Sequence, residues 1–239
     1  MRESQRKRLV IAIDGPAGAG KSTIASRLAR SLGYTNIETG AMYRALALKA
    51  IMNDVSLDDE EPLLRLAHNS HIELEPTIDG NRVLLDGQNV SQRIRERDVT
   101  EAASRVSVHP QVREWMVARQ REMGQQGGVV MEGRDIGTRV FPDADVKVFL
   151  DADPHVRGER RYRQQSSTLP APPASQAAAV AEKSQAVLAE MRARDQRDRT
   201  RASSPLMPAP DAVVIDSTNL SIDDVLARIQ QAIASRAAG

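Results

Sequence analysis

Five short runs of mostly apolar residues punctuate the chain: Arg8–Ile13, Tyr34–Ile37, Gly128–Glu132, Val146–Asp151 and Ala212–Asp216. They are largely apolar, as strands covered on both faces are. The stretches between them carry apolar residues at helical spacing, for example Ile24, Leu28 and Leu32. Short strands alternating with longer helices predict a parallel sheet with helices on its faces. The last helix is well marked. Ser221 can cap it with Asp224 three residues on, and Ile222, Val225, Leu226, Ile229 and Ile233 form one stripe that reads as core packing.

Two segments break that rhythm. His71 to Glu75 alternates, Asp79-Gly80-Asn81 signals a turn, and Arg82 to Asp86 follows, which predicts an antiparallel hairpin. A hairpin is foreign to a parallel sheet, so it is assigned to a small inserted subdomain over about residues 63–99. Ser166 to Ser184 is rich in Ser, Ala, Pro and Gln, and Pro170, Pro172 and Pro173 bar a continuous helix. A flexible linker and a mobile lid are equally compatible with it.

The strongest local signal follows the first strand. Gly15-Pro16-Ala17-Gly18-Ala19-Gly20-Lys21-Ser22, with Thr23 after it, is a complete G-x-x-x-x-G-K-[ST] loop between a strand and a helix. Glycines let backbone approach an anion, and the N–H groups opening the helix point at phosphates. Lys21 is expected to reach the β- and γ-phosphates of a nucleotide and the Ser22 hydroxyl to ligate Mg²⁺.

Composition narrows the classes. Lys+Arg 33 against Asp+Glu 32 leaves a net charge of +1, and aromatics make up 3%, which argues against nucleic acid as a partner. The absence of cysteine excludes disulfides and thiolate chemistry and is compatible with a reducing cytosol. The apolar run after the basic opening is too short for a signal peptide, and no stretch has transmembrane length, so no membrane partner is expected. His68, His71, His109 and His155 lack metal-ligand spacing, and Trp115 reads as a packing residue. Arginines gather at Arg157, Arg160, Arg161 and Arg163, and again at Arg192, Arg194, Arg197, Arg199 and Arg201, interleaved with Asp195 and Asp198. Each cluster could be a solvated, salt-bridged helix face. Beside a phosphate loop, arginines can also neutralise the transferred phosphoryl group.

Three further motifs carry a resemblance. Glu38-Thr39-Gly40-Ala41-Met42-Tyr43-Arg44, Glu132-Gly133-Arg134-Asp135-Ile136-Gly137-Thr138 and Arg194-Asp195-Gln196-Arg197-Asp198-Arg199-Thr200-Arg201 together resemble the bacterial cytidylate kinases, over roughly Leu9 to Ile229. The resemblance implies a three-layer α/β P-loop kinase with a five-stranded parallel sheet, the insertion as a monophosphate-binding part, and an arginine-rich lid over 155–194. It implies transfer from ATP, with Mg²⁺, to CMP or dCMP, in a cytoplasmic monomer. By motif match, Thr39 stands near the base, where serine is common in the family. Arg44, Arg134 and Arg201 match the acceptor-phosphate set. Ser104, Arg113 and Asp135 match the cytosine-reading set, and Arg194 and Asp198 the pentose-binding pair. Lys21, Arg134 and lid arginines, with Arg157 and Arg161 preferred, are expected to neutralise charge in transfer. The segment between Arg163 and Arg192 is longer and richer in Ala and Pro than is usual in the family. Two rival functions remain open: a kinase that also accepts UMP or another monophosphate, and a nucleotide-dependent switch whose arginines grip RNA.

Overall fold

A computed structural model describes residues 8–77, 80–166 and 177–237. Five strands, β1 (Val10–Asp14), β2 (Thr35–Glu38), β6 (Val129–Gly133), β7 (Val146–Asp151) and β8 (Val213–Asp216), form one sheet in the order β2-β6-β1-β7-β8. Every neighbouring pair in it is parallel. A second sheet, antiparallel, comprises β3 (Ile72–Thr77), β4 (Gly80–Leu85) and β5 (Gln88–Asn89). The helices are α1 (Lys21–Leu32), α2 (Thr39–Met52), α3 (Glu60–His68), α4 (Arg97–Val106), α5 (Pro110–Gly124), α6 (Pro154–Ser166), α7 (Ala177–Thr200) and α8 (Ile222–Ala237).

The strand residues explain the three layers. Successive side chains on β1 point to opposite faces of the sheet. Ile11 and Ile13 pack with Ile24 and Leu28 of α1 and Val225 and Ile229 of α8, whereas Ala12 joins Val117 of α5 and Met131 on the other face. Each fully buried aliphatic side chain of this kind stabilises the fold by about 2 kcal/mol. Helix α8 starts as expected: Ser221 Oγ accepts from the Asp224 amide at 3.1 Å, and the Asp224 carboxylate accepts from the Ser221 amide at 3.0 Å. Of its stripe, Val225 and Ile229 are buried, but Ile222 is exposed, because the helix enters the layer one turn later. Edge strand β8 also leaves Val213 and Val214 exposed.

The hairpin forms. Thr77 pairs with Gly80, and Gly80 and Asn81 belong to β4, while residues 78–79 lie outside the described residues. Asn81 is buried: its Oδ1 accepts from the Glu38 amide at 3.0 Å and its Nδ2 donates to the Asn36 carbonyl at 2.9 Å, fastening the hairpin to the edge of the parallel sheet. The hairpin shares one apolar core with α2, α3, α4 and α5, running from Ala41 to Met116, a broader packed unit than residues 63–99. Trp115 packs against this core, with its ring 6.5 Å from that of His68. Of the low-complexity segment, Pro170, Pro172 and Pro173 lie outside the described residues, while the chain from Ala177 onward is already helix α7.

Candidate active site

The phosphate-type loop joins the C-terminal end of β1 to α1. Gly15 has φ +150°, and a Cβ there would lie 2.0 Å from the Leu150 carbonyl oxygen, so β7 presses directly on the loop. Gly18 has φ +75°, and its missing Cβ leaves room for Met191 of α7 and the backbone of Arg157 in α6. Gly20 caps α1 in the left-handed region without a side-chain cap, so the first-turn N–H groups stay available to a ligand.

Lys21 Nζ donates to the Pro16 carbonyl at 2.8 Å. Burial, followed by repulsion from Arg134 and Arg194, holds its ammonium down to about 7, with Glu132 and Asp14 opposing. Ser22 Oγ donates to Glu132 Oε1 at 2.6 Å, and burial pushes the Glu132 carboxyl above its ordinary range. Asp14 is the strut beneath. Its two oxygens accept from the Ile136 and Gly137 amides at 2.8 and 2.7 Å, opening a π-turn over Ile136–Val140. Burial outweighs those bonds and pushes Asp14 up to about 7.

Across from the loop lies a cluster of cations with few counter-ions. Arg44 pairs with Glu38, whose other oxygen lies 3.8 Å from Arg95. Arg134 Nε donates to Asp198 at 2.9 Å, and Arg201 approaches the other Asp198 oxygen at 3.5 Å. Burial raises Asp198, but Arg134, Arg194 and Arg201 outweigh it and hold the carboxyl below its ordinary range. Arg194 is lowered to about 10 by burial and then by Arg134, with Arg44 and Arg161 adding to the effect. Arg161 is lowered by burial and then by Arg44 and Arg95. The Nε of Arg44, the Nε of Arg194 and an Nη of Arg201 are buried donors with no protein partner. Buried donors that lack acceptors, on cations that repel one another, fit an anionic ligand carrying several phosphoryl oxygens.

Next to this cluster a second set of buried polar groups is built for a different ligand part. Arg113 pairs with Asp135 and donates to the Ser107 carbonyl at 3.2 Å, with its guanidinium 5.5 Å from the centre of the Tyr43 ring. Its Nε and the Tyr43 hydroxyl are buried without partners, and burial pushes that hydroxyl up to about 12. Ser104 is buried and accepts from Arg197 Nε at 3.1 Å. The Thr39 hydroxyl donates to the Glu132 carbonyl at 2.8 Å, between the two sets.

The family model for cytidylate kinase matches residues 11–235. This chain belongs to the cytidylate kinase family. It is 50% identical over 236 residues to the cytidylate kinase of Solibacter usitatus, covering 99% of this chain and 97% of that one. It is 47% identical over 233 residues to the cytidylate kinase of Anoxybacillus flavithermus, covering 98% and 99%. A solved structure of shikimate kinase from Acinetobacter baumannii in complex with shikimate aligns over 95% of this chain and 94% of that chain, at 14% identity and TM-score 0.42.

Within this family member, the structure sorts the residues singled out by sequence. Residues 15–22 form the loop, with Lys21 buried and Ser22 and Thr23 exposed at its mouth. Arg44, Arg134, Arg161, Arg194, Asp198 and Arg201 converge on one cluster, and Arg113 and Asp135 on the neighbouring one. Arg157 does not join the cation cluster with Arg161. Its guanidinium is buried and donates to the Ala152 and Ala17 carbonyls, both at 2.9 Å, and to Asp195 at 2.5 Å. It thus ties α6 and α7 to the loop. Arg160 is held by the hydroxyl and carbonyl of Ser217. Sequence reasoning left without a role Glu38, Arg95, Glu132, Asp195 and Arg197. Glu38 and Glu132 had a usable signal: both lie at the C-terminal ends of parallel strands, where α/β sheets bind ligands.

Proposed function

We propose that this protein transfers the γ-phosphoryl group of ATP to CMP or dCMP, giving ADP and CDP or dCDP. The observation that carries the reading is the buried Arg113–Asp135 pair beside the anion-hungry arginines, facing a phosphate loop. Cytosine offers an amine donor and two acceptors, O2 and N3. Asp135 accepts from the amine, and Arg113 and Ser104 serve the acceptors. Uracil would set an oxygen against Asp135 and an N–H against donors, and such mismatches discriminate strongly. Arg44, Arg134 and Arg201 hold the acceptor phosphate, and Arg194 and Asp198 the pentose.

Lys21 and the first-turn amides of α1 hold the donor phosphates. The residues present fit Mg²⁺: Ser22 supplies a hydroxyl, Glu132 and Asp14 supply carboxylates nearby, and Mg²⁺ commonly keeps waters and phosphate oxygens as its remaining ligands. When bound, the ion shields charge between the donor phosphates. No side-chain base is required, because the attacking phosphate oxygen of the acceptor is already ionised near neutrality. That oxygen bonds to the γ-phosphorus as the bond from phosphorus to the ADP oxygen breaks. Arg134, Arg161 and Lys21 neutralise the charge spread over the moving group, and α6 and α7 exclude water that would compete as acceptor. The family resemblance supports a monomer acting in the cytoplasm.

The test is ADP formation from Mg·ATP with CMP, dCMP, UMP, AMP and GMP offered separately. Selective turnover of CMP and dCMP is expected. Equal use of UMP would remove the base-reading assignment, and turnover that needs no acceptor would overturn the transfer reaction.

A further inference from the structure

Arg197 lies on α7 three residues after Arg194 and directly before Asp198, with Arg201 four residues on, just past the end of the helix. Three of those four residues turn toward the acceptor-phosphate cluster. Arg197 reaches instead across to α4, where its Nε donates to the Ser104 hydroxyl oxygen at 3.1 Å. Ser104 is 2% exposed and belongs to a continuous polar chain. Its carbonyl accepts from Ser107 Oγ at 3.0 Å, the Ser107 carbonyl accepts from Arg113, and Arg113 pairs with Asp135.

We propose that Arg197 is a positioning residue for base selection: by donating to Ser104 it fixes that hydroxyl as a hydrogen-bond donor toward the acceptor base. The inference rests on the reading of Ser104 as a base contact. A serine hydroxyl alone is ambidextrous, with one proton and two lone pairs, and it rotates to suit either cytosine N3 or the N3–H of uracil. A guanidinium N–H can only donate. With Arg197 occupying one lone pair, the Ser104 proton is turned away from α7. Among the described residues no protein acceptor takes that proton, so it serves a ligand acceptor, which N3 of cytosine is and N3–H of uracil is not. The same bond makes base reading depend on α7 resting on α4. Base selection and the seating of the helix that carries the phosphate-binding arginines then occur together. A second tie between the two helices, Arg97 to Glu190, is solvent-exposed and touches no base-site group, which makes it a control.

The experiment measures kcat/KM for CMP and for UMP, and KM for ATP, in the full chain and in Arg197→Lys, Arg197→Met, Ser104→Ala, Arg197→Met/Ser104→Ala and Glu190→Gln. In Arg197→Met the CMP:UMP ratio is expected to fall by about fivefold or more, the worth of one net hydrogen bond, and in Arg197→Lys, whose ammonium also only donates, by less, with KM for ATP within about twofold of the parent in both. Ser104→Ala alone should reproduce that fall, the double variant should add nothing to it, and Glu190→Gln should leave the ratio unchanged. An unchanged ratio in Arg197→Met, or additive losses in the double variant, would overturn the proposal. If the Arg197 variants do not fold, an intact ratio in Ser104→Ala overturns it equally. A parent chain with no CMP turnover would instead sink the assigned activity itself, and the two failures are told apart by the parent alone.

Discussion

Replacing Lys21 by methionine should abolish turnover and yet make the ligand-free protein more stable. The Lys21 side chain is 5% exposed and lies among Arg134 and Arg194, and its ammonium is lowered from the ordinary 10.5 to about 7. At about 1.4 kcal/mol for each tenfold change in affinity for the proton, that displacement corresponds to ~5 kcal/mol held against the folded state near neutrality. Methionine keeps the aliphatic stem and removes the charge. It also removes the bond to the Pro16 carbonyl, a loss of about 1 kcal/mol. With partial relaxation around the new side chain, a net gain of ~2–4 kcal/mol remains, or roughly 5–10 °C in melting temperature for a chain of this size. The sign with pH follows from which state holds the proton. Between pH 7 and 10.5 the unfolded lysine is protonated and the folded one is not, so the unfolded state binds more protons and parent stability rises with pH. The advantage of Lys21→Met is therefore fully present at pH 7 and below and shrinks by about 1.4 kcal/mol for each pH unit above it. Thermal unfolding by circular dichroism at pH 7 and pH 9, without nucleotide, reads both effects. A Met variant that melts at or below the parent at pH 7, or an advantage that widens toward pH 9, would refute the account of Lys21 as a destabilising cation awaiting an anion.

Binding of Mg·ATP at pH 8 should draw a proton onto Lys21, approaching ~0.9 per site because a group at about 7 is mostly neutral there. Titration calorimetry in two buffers of different protonation enthalpy measures this, and the same heat from both buffers would contradict it. Asp135→Asn should break the buried pair with Arg113, lowering stability by ~3 kcal/mol and raising KM for CMP at least about tenfold, in denaturant melts and steady-state kinetics. Gly18→Ala should raise KM for ATP, because its Cβ would lie 2.7 Å from Met191 Cε and 2.9 Å from the Arg157 carbonyl at φ +75°. Adding Met191→Ala should not restore it, since the carbonyl clash is with backbone; full recovery would show that the side chain alone matters.

The five parallel strands are readable because strands buried on both faces are mostly apolar, and four of the six residues of Val146–Asp151 are, Lys147 and Asp151 being the exceptions. The limit of that rule shows at β8, where exposed Val213 and Val214 look, in sequence, like a buried strand. Asp79-Gly80-Asn81 has turn chemistry, yet Gly80 and Asn81 pair within β4. A turn centred there would set Leu74 opposite Asp86 and Ile72 opposite Gln88, whereas the observed register sets them opposite Val83 and Leu85. Asn81 serves a partner 43 residues away, the Glu38 amide, which local reading does not reveal. Motifs located most of the candidate site. They could not separate arginines of equal helical spacing into different roles: Arg157 and Arg161 differ only in what faces them, Asp195 and Ala17 for one, Arg44 and Arg95 for the other.

The central place of β1 has a consequence for how the protein is made. The strand leading into the phosphate loop pairs on one side with β6 and on the other with β7, with Val10 opposite Val129 and Ile11 opposite Val146. A growing chain that ends before Val129 carries the whole loop sequence on a strand with both edges bare, the kind of exposed apolar edge that chaperones and misfolding partners recognise. Ala17 then lacks Arg157, and the arginines of α7 are not yet synthesised. A chain that stops before Val129 therefore lacks both edge partners of the loop strand and part of the arginine cluster that faces the loop, Arg201 included.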